Sequence, residues 1–97
     1  MDEKLLQSDL VDISWQRFST TPATTDPHYH RGTVEINIVI AGGVTGKISD
    51  TTFRAVKGQF YVLWPETVMS EFSTDPDTEV IVVRAPSIPN GGKVKVT

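Results

Sequence analysis

The sequence contains no cysteine and only two histidines among its 97 residues. Without cysteine the chain can form neither disulfide bonds nor thiolate sites, and such a composition is typical of a reducing compartment. It also lacks a hydrophobic run near the ~20 residues that a transmembrane helix requires. No apolar signal-peptide core follows the N-terminal residues Met1 to Lys4. We therefore expect a cytoplasmic location and no membrane partner.

An excess of charge of one sign is also missing. Nine basic and 12 acidic residues leave a net charge of -3. The basic residues are scattered and form no stripe that could follow a phosphate backbone, so we expect no nucleic-acid partner. The length fits one domain, assigned to residues 1–97 with an N-terminal arm at 1–10 and a C-terminal tail at 86–97.

Alternating apolar residues and frequent turn residues dominate the secondary-structure signal. The clearest strand is Val34 to Ile40, where apolar side chains occupy every second position. The glycines of Ala41 to Gly43 favour a hairpin turn after it. The continuously apolar segment Phe60 to Trp64 predicts a strand covered on both sides, and Leu5 to Ser8 predicts a short helical turn. Further strands are predicted at 11–18, 44–49, 52–56, 68–72, 79–84 and 93–96. This density of short strands indicates an all-β sandwich or barrel.

His28, His30 and Glu35 are the residues whose types and spacing indicate chemistry. Side chains two apart on a strand point the same way, and a turn at 31–33 would place Glu35 on the next strand, ~4.8 Å away. Three donor atoms could then bind one divalent cation at ~2.1 Å. Two imidazoles and one carboxylate suit iron(II), and zinc, nickel or manganese would also bind. Without a metal, Glu35 would orient an imidazole that binds a ligand or acts as a general base.

The spacing from His28 to Gly42, His-x-His-x4-Glu-x6-Gly, resembles the first motif of the cupin superfamily. Gly58 and Pro65 resemble the start of the second motif, which is degenerate here. The resemblance implies a small single-domain protein with a cupin-type double-stranded β-helix, or jelly-roll, barrel. The position of the family's third metal-binding histidine falls on Ser70 or on Met69, depending on whether the alignment is anchored on Pro65 or Gly58. Ser70 could at best be a weak ligand or hydrogen-bond a bound water.

Two further predictions concern ligand contacts and assembly. Tyr61 carries a hydroxyl that needs a partner if it is buried, which makes it a candidate for contact with a small-molecule ligand. If Glu35 points into the barrel, the valine and isoleucines of 34–40 lie outside and require cover, which predicts a homodimer. In the competing register the isoleucines form the core, Glu35 faces solvent and no site exists.

Three functions remain open from the sequence. The first is a binding protein that holds a small polar ligand, for which a sugar derivative is one candidate, beside a partial metal site at His28, His30 and Glu35. The second is a metal-dependent enzyme, either a non-haem iron oxygenase or an isomerase of a sugar or small acid. The third is a structural dimeric module that rests on the isoleucine face alone.

Overall fold

The computed structural model describes residues 2–18, 27–88 and 93–96, and all regular structure in these ranges is β-strand. The strands are β1 (Asp2–Gln7), β2 (Asp12–Phe18), β3 (His28–His30), β4 (Val34–Ala41), β5 (Gly43–Ile48), β6 (Thr51–Val56), β7 (Phe60–Leu63), β8 (Met69–Thr74), β9 (Thr78–Ala85) and β10 (Lys93–Lys95). None of the described residues forms a helix long and apolar enough to cross a membrane.

The strands form two five-stranded antiparallel sheets, with orders β1-β2-β9-β4-β7 and β10-β3-β8-β5-β6. Because β4 and β5 lie in different sheets, the glycines at 42 and 43 link the two sheets and do not close a hairpin. The hairpin prediction is therefore wrong, although the positive φ at Gly42 (75°) is present. A Cβ atom at Gly42 would collide with Thr78, so the crossing of the chain here requires glycine.

Strand β4 settles the register that the sequence left open. Glu35, Asn37 and Val39 point inward and are 6%, 4% and 1% exposed, whereas Ile38 and Ile40 are 38% and 40% exposed. The first of the two arrangements is therefore correct, and the carboxylate lies inside the barrel. The neighbouring strand β9 is in a register that places its own inward residues directly opposite these three.

The apolar core occupies one end of the space between the sheets. Both sheets contribute to it, because strands β4 and β9 face strands β5 and β6 there. Aromatic side chains from four strands pack around it. The buried members are Val39, Val44, Ala55, Val80 and Val82, and the partly buried ones are Phe18, Phe53, Tyr61 and Phe72.

Two local predictions are wrong. Leu5 to Ser8 does not form a helical turn, because β1 pairs with β2 and its backbone groups find partners there. The segment Phe60 to Trp64 contains β7 at the edge of its sheet, and only one of its faces is covered. Leu63 is buried, but Phe60 and Trp64 are 66% and 62% exposed.

Candidate functional site

The predicted trio converges, but across the barrel and not along one sheet. His28 and His30 lie on β3 in one sheet and Glu35 lies on β4 in the other, joined by a turn at Gly32 with a φ of 76°. The His30 Nε2 atom is 2.9 Å from the Glu35 Oε2 atom. The predicted approach between adjacent strands is therefore wrong, and the side chains meet because the two sheets face each other.

Glu35 is the centre of a short hydrogen-bonded chain. Its Oε2 atom accepts from His30 Nε2 and from Arg84 Nε, the latter at 3.2 Å. Burial by itself raises the pKa of the Glu35 carboxyl, but the hydrogen bond from His30 and the positive charge of Arg84 outweigh burial and lower the pKa to about 2. Glu35 is therefore ionised at neutral pH, and its charge is compensated inside the protein.

A cavity of about 170 Å³ adjoins this chain at the polar end of the barrel. The two imidazole rings meet edge to face in its wall, with centroids 5.2 Å apart. Burial and the nearby charge of Glu35 raise the pKa of the Tyr61 hydroxyl, so this group stays protonated. The cavity is lined by Gln16, Phe18, His28, His30, Glu35, Asn37, Tyr61, Met69, Phe72, Val80 and Arg84.

Four of the five predicted site residues line this cavity, namely His28, His30, Glu35 and Tyr61. Ser70 does not line it, because consecutive residues of a strand face opposite sides. Its neighbour Met69 is the one that faces inward, directly opposite His28 on the adjacent strand. Of the two alignments, the structure therefore agrees with the one anchored on Gly58.

Sequence reasoning missed three polar residues of the cavity wall: Gln16, Asn37 and Arg84. Asn37 could have been found, since it lies two residues after Glu35 and shares its face. Arg84 had no such local signal. It reaches Glu35 only because β9 pairs with β4, 49 residues away along the chain.

The arrangement of the trio does not fit a divalent metal ion. Within the described ranges, no group of three or more His, Cys, Asp or Glu side chains is placed to hold one. Glu35 already accepts hydrogen bonds from His30 and Arg84, and the thioether of Met69 lies where a further imidazole would be needed. Metal binding by His28, His30 and Glu35 therefore stays a prediction.

Comparison with known proteins identifies the fold. No protein-family model matches the sequence, and no curated protein matches it either. Solved structures do match. KdgF from Halomonas sp. superimposes with a TM-score of 0.80 at 19% identity, over 92% of this chain and 80% of that protein.

Two further structures agree with KdgF. A protein with a double-stranded β-helix domain from Klebsiella pneumoniae gives a TM-score of 0.77 at 15% identity, over 100% of this chain and 84% of that one. An RmlC-like cupin from Shewanella frigidimarina gives a TM-score of 0.74 at 12% identity, over 92% of this chain and 78% of that one. The chain thus has the double-stranded β-helix fold of the cupins, as its resemblance to the first cupin motif implied.

Proposed function

We propose that the protein binds a small polar ligand in the cavity at the polar end of its barrel. One observation supports this proposal above the others. Asn37 lines the cavity, and its Nδ2 atom is buried without a hydrogen-bond partner among the described residues. A buried donor without a partner costs about 1–3 kcal/mol, so native structures rarely keep one without a reason. A ligand oxygen that accepts from Asn37 would remove this cost.

The other cavity groups indicate the chemistry of this ligand. The protonated hydroxyl of Tyr61, the amide of Gln16 and the guanidinium of Arg84 are further donors beside Asn37. The wall thus offers several hydrogen-bond donors, which favours a ligand with acceptor oxygens. A cavity of about 150 Å³ holds a molecule the size of benzene, so the ligand is about one small ring in size. A small sugar derivative meets both requirements.

Asn37→Leu tests this proposal, because it keeps the side-chain shape and removes the donor. The probes are a panel of monosaccharides, sugar acids and hydroxy acids, and binding is measured by ligand-observed NMR. We expect a hit with the wild type and at least tenfold weaker binding with Asn37→Leu. The matched control is Thr74→Val, since the Thr74 hydroxyl is also buried without a partner in the described part of the chain but does not line the cavity. Equal binding by both variants would contradict the role of Asn37.

A metal-dependent enzyme is the second candidate, supported by the convergence of His28, His30 and Glu35 on one cavity. Metal binding would require the Glu35 carboxylate to exchange its hydrogen bond with Arg84 for the metal ion. His30 would also have to present a nitrogen lone pair. We expect substoichiometric zinc or nickel in purified protein, measured by mass spectrometry. Stoichiometric iron that is lost in a His28→Ala, His30→Ala variant would instead support the enzyme.

We also propose that the protein is a homodimer joined through the outer face of the sheet that contains β4. Two rows of apolar side chains cross four strands of this face. One row is Phe60, Ile38, Ile81 and Trp15, and the other is Val62, Ile36, Val83 and Ile13. The broad dimensions of the molecule, 32 × 30 Å, are sufficient for the ~800 Å² per partner of a standard interface. A small domain of this size gains stability by covering such a face.

Ile38→Glu tests the homodimer, with Val56→Glu as its control. The two residues are equally exposed, at 38% and 39%, but Val56 lies on the other sheet. Light scattering at micromolar concentration should give twice 10.7 kDa for the wild type and Val56→Glu. Ile38→Glu should give a monomer. A monomeric wild type would disprove the homodimer.

A cytoplasmic location is proposed on composition alone. The absence of cysteine fits a reducing compartment. Fractionation of cells that produce the protein, followed by immunodetection, should find it with the cytoplasmic markers, and recovery with exported proteins would contradict this.

A further inference from the structure

Arg84 is a charged residue of the cavity wall that the sequence did not predict. Its role as one donor to the proposed ligand does not account for its contact with Glu35. It lies directly opposite Glu35 on the neighbouring strand β9, so the two side chains share the inner face of the sheet. Its Nε atom donates to Glu35 Oε2 at 3.2 Å, and its side chain is 19% exposed. The guanidinium is thus held beside the carboxylate that was predicted to bind a metal.

The hydrogen bonds at Glu35 engage one oxygen of the carboxylate and one ring nitrogen of His30 that a metal would otherwise bind. One carboxylate oxygen, Oε2, accepts from both His30 and Arg84. A ring nitrogen that donates to a carboxylate carries a hydrogen, so its lone pair is not available to a metal ion. Two of the three predicted ligands therefore satisfy each other.

The charge balance of the cavity also opposes a second cation. Apart from the histidines, Glu35 and Arg84 are the charged residues in the lining of the cavity, one of each sign. A guanidinium cannot lose its proton at any pH where the protein is folded. A divalent ion at this site would therefore add its charge beside a fixed positive group.

We propose that Arg84 takes the place of a metal ion in this barrel. Its guanidinium neutralises Glu35, fixes the carboxylate for hydrogen bonding with His30, and weakens the binding of divalent cations to the cluster of His28, His30 and Glu35. Arg84 thus decides the ion selectivity of the site. Replacing it with a neutral side chain should convert the cluster into a metal site.

The experiment measures Co²⁺ binding from the visible absorption of the ion as it enters an imidazole and carboxylate site. The test variants are Arg84→Met and Arg84→Gln, which remove the charge, and Arg84→Lys, which keeps it. Arg54→Met is the matched control, since Arg54 pairs with Asp75 at 2.6 Å on the exposed surface. Each variant is also made with His28→Ala and His30→Ala.

We expect Arg84→Met and Arg84→Gln to bind Co²⁺ at least tenfold more tightly than the wild type, Arg84→Lys and Arg54→Met. The gain should vanish when the two histidines are removed. If the neutral variants unfold without metal, circular dichroism should show that Co²⁺ restores their structure.

Three results would overturn the proposal: equal affinity in the wild type and the neutral variants, equal affinity in Arg84→Lys and Arg84→Met, or an unfolded variant that Co²⁺ does not rescue. The proposed ligand binding is measured separately, by comparing the wild type with Asn37→Leu in the presence of EDTA. Because EDTA removes free metal ions, this comparison does not depend on any of the three results. The failure of this proposal is therefore distinguishable from the failure of the proposed ligand binding.

Discussion

The two ends of the barrel interior differ in how they are filled, although the same strands build both. At the apolar end, Val39 and Val44 are at most 1% exposed and pack in the apolar core. At the polar end, Glu35 and Asn37 are almost as buried, but a cavity of about 170 Å³ remains beside them. Polar groups need partners at fixed distances and directions, so they cannot close every gap as aliphatic side chains do. Strand β4 passes from one environment to the other within the five residues from Glu35 to Val39.

The largest expected effect on stability comes from placing a carboxylate at each end of the barrel interior in turn. Val44→Asp puts a carboxylate where the side chain is 0% exposed, among the aliphatic core residues. An unpaired buried charge costs several kcal/mol, so we expect the fold to be lost. Asn37→Asp places the carboxylate opposite Tyr61, in the wall of the cavity that Glu35 and Arg84 also line. Polar groups and the open cavity can solvate it there, so this variant should remain folded. Urea unfolding followed by circular dichroism compares the two, and equal destabilisation would show that the ends do not differ.

The next largest expected effect is on the pH dependence of the free energy of unfolding. Because the pKa of Glu35 falls from 4.5 to about 2 on folding, its ionised form contributes on the order of 3 kcal/mol to stability at neutral pH. The unfolded chain binds the proton first as the pH falls, so this stability is present above pH 4.5 and is lost towards pH 2. Unfolding free energies measured between pH 6 and pH 2 should therefore fall more steeply for the wild type than for Glu35→Gln.

Asp75→Asn is the control for this pH effect. The pKa of Asp75 is lowered by its hydrogen bond with Arg54, but the pair lies on the exposed surface. Solvent screens such a pair, so the control should change the pH dependence much less than Glu35→Gln. A control effect as large as that of Glu35→Gln would mean that burial of the Glu35 pair has no special importance.

The smallest expected effect tests which residue of β8 faces the cavity. Met69→His places an imidazole opposite His28, on the inner face, whereas Ser70→His places it on the other face of the strand. We expect Met69→His to raise Zn²⁺ affinity about tenfold, near 1.4 kcal/mol, and Ser70→His to leave it unchanged. Isothermal titration calorimetry gives both affinities. The reverse order would show that Ser70 is the cavity residue.

The fold was predictable to a large extent because its signals are local. Alternation along Val34 to Ile40 defined a strand with one inward face, and the spacing of His28, His30 and Glu35 resembled the first cupin motif. Turn residues placed the ends of most strands within one or two positions. The error at Ala41 to Gly43 arose because β4 and β5 pair with strands far along the chain, which no local pattern reports. At Leu5 to Ser8, pairing with the next strand β2 replaces the short helical turn.

The residues themselves determined that short strands form, that Glu35 and Asn37 share a face, and that the two histidines point the same way, because strand geometry alternates side chains regardless of the surroundings. The tertiary structure decided what these groups contact. Only the facing of the two sheets brings His30 to Glu35, and only the pairing of β9 with β4 brings Arg84 to the same oxygen. The charge and hydrogen bonding of a buried group depend on neighbours in space, so the pattern that predicted a metal site could not reveal the arginine beside it.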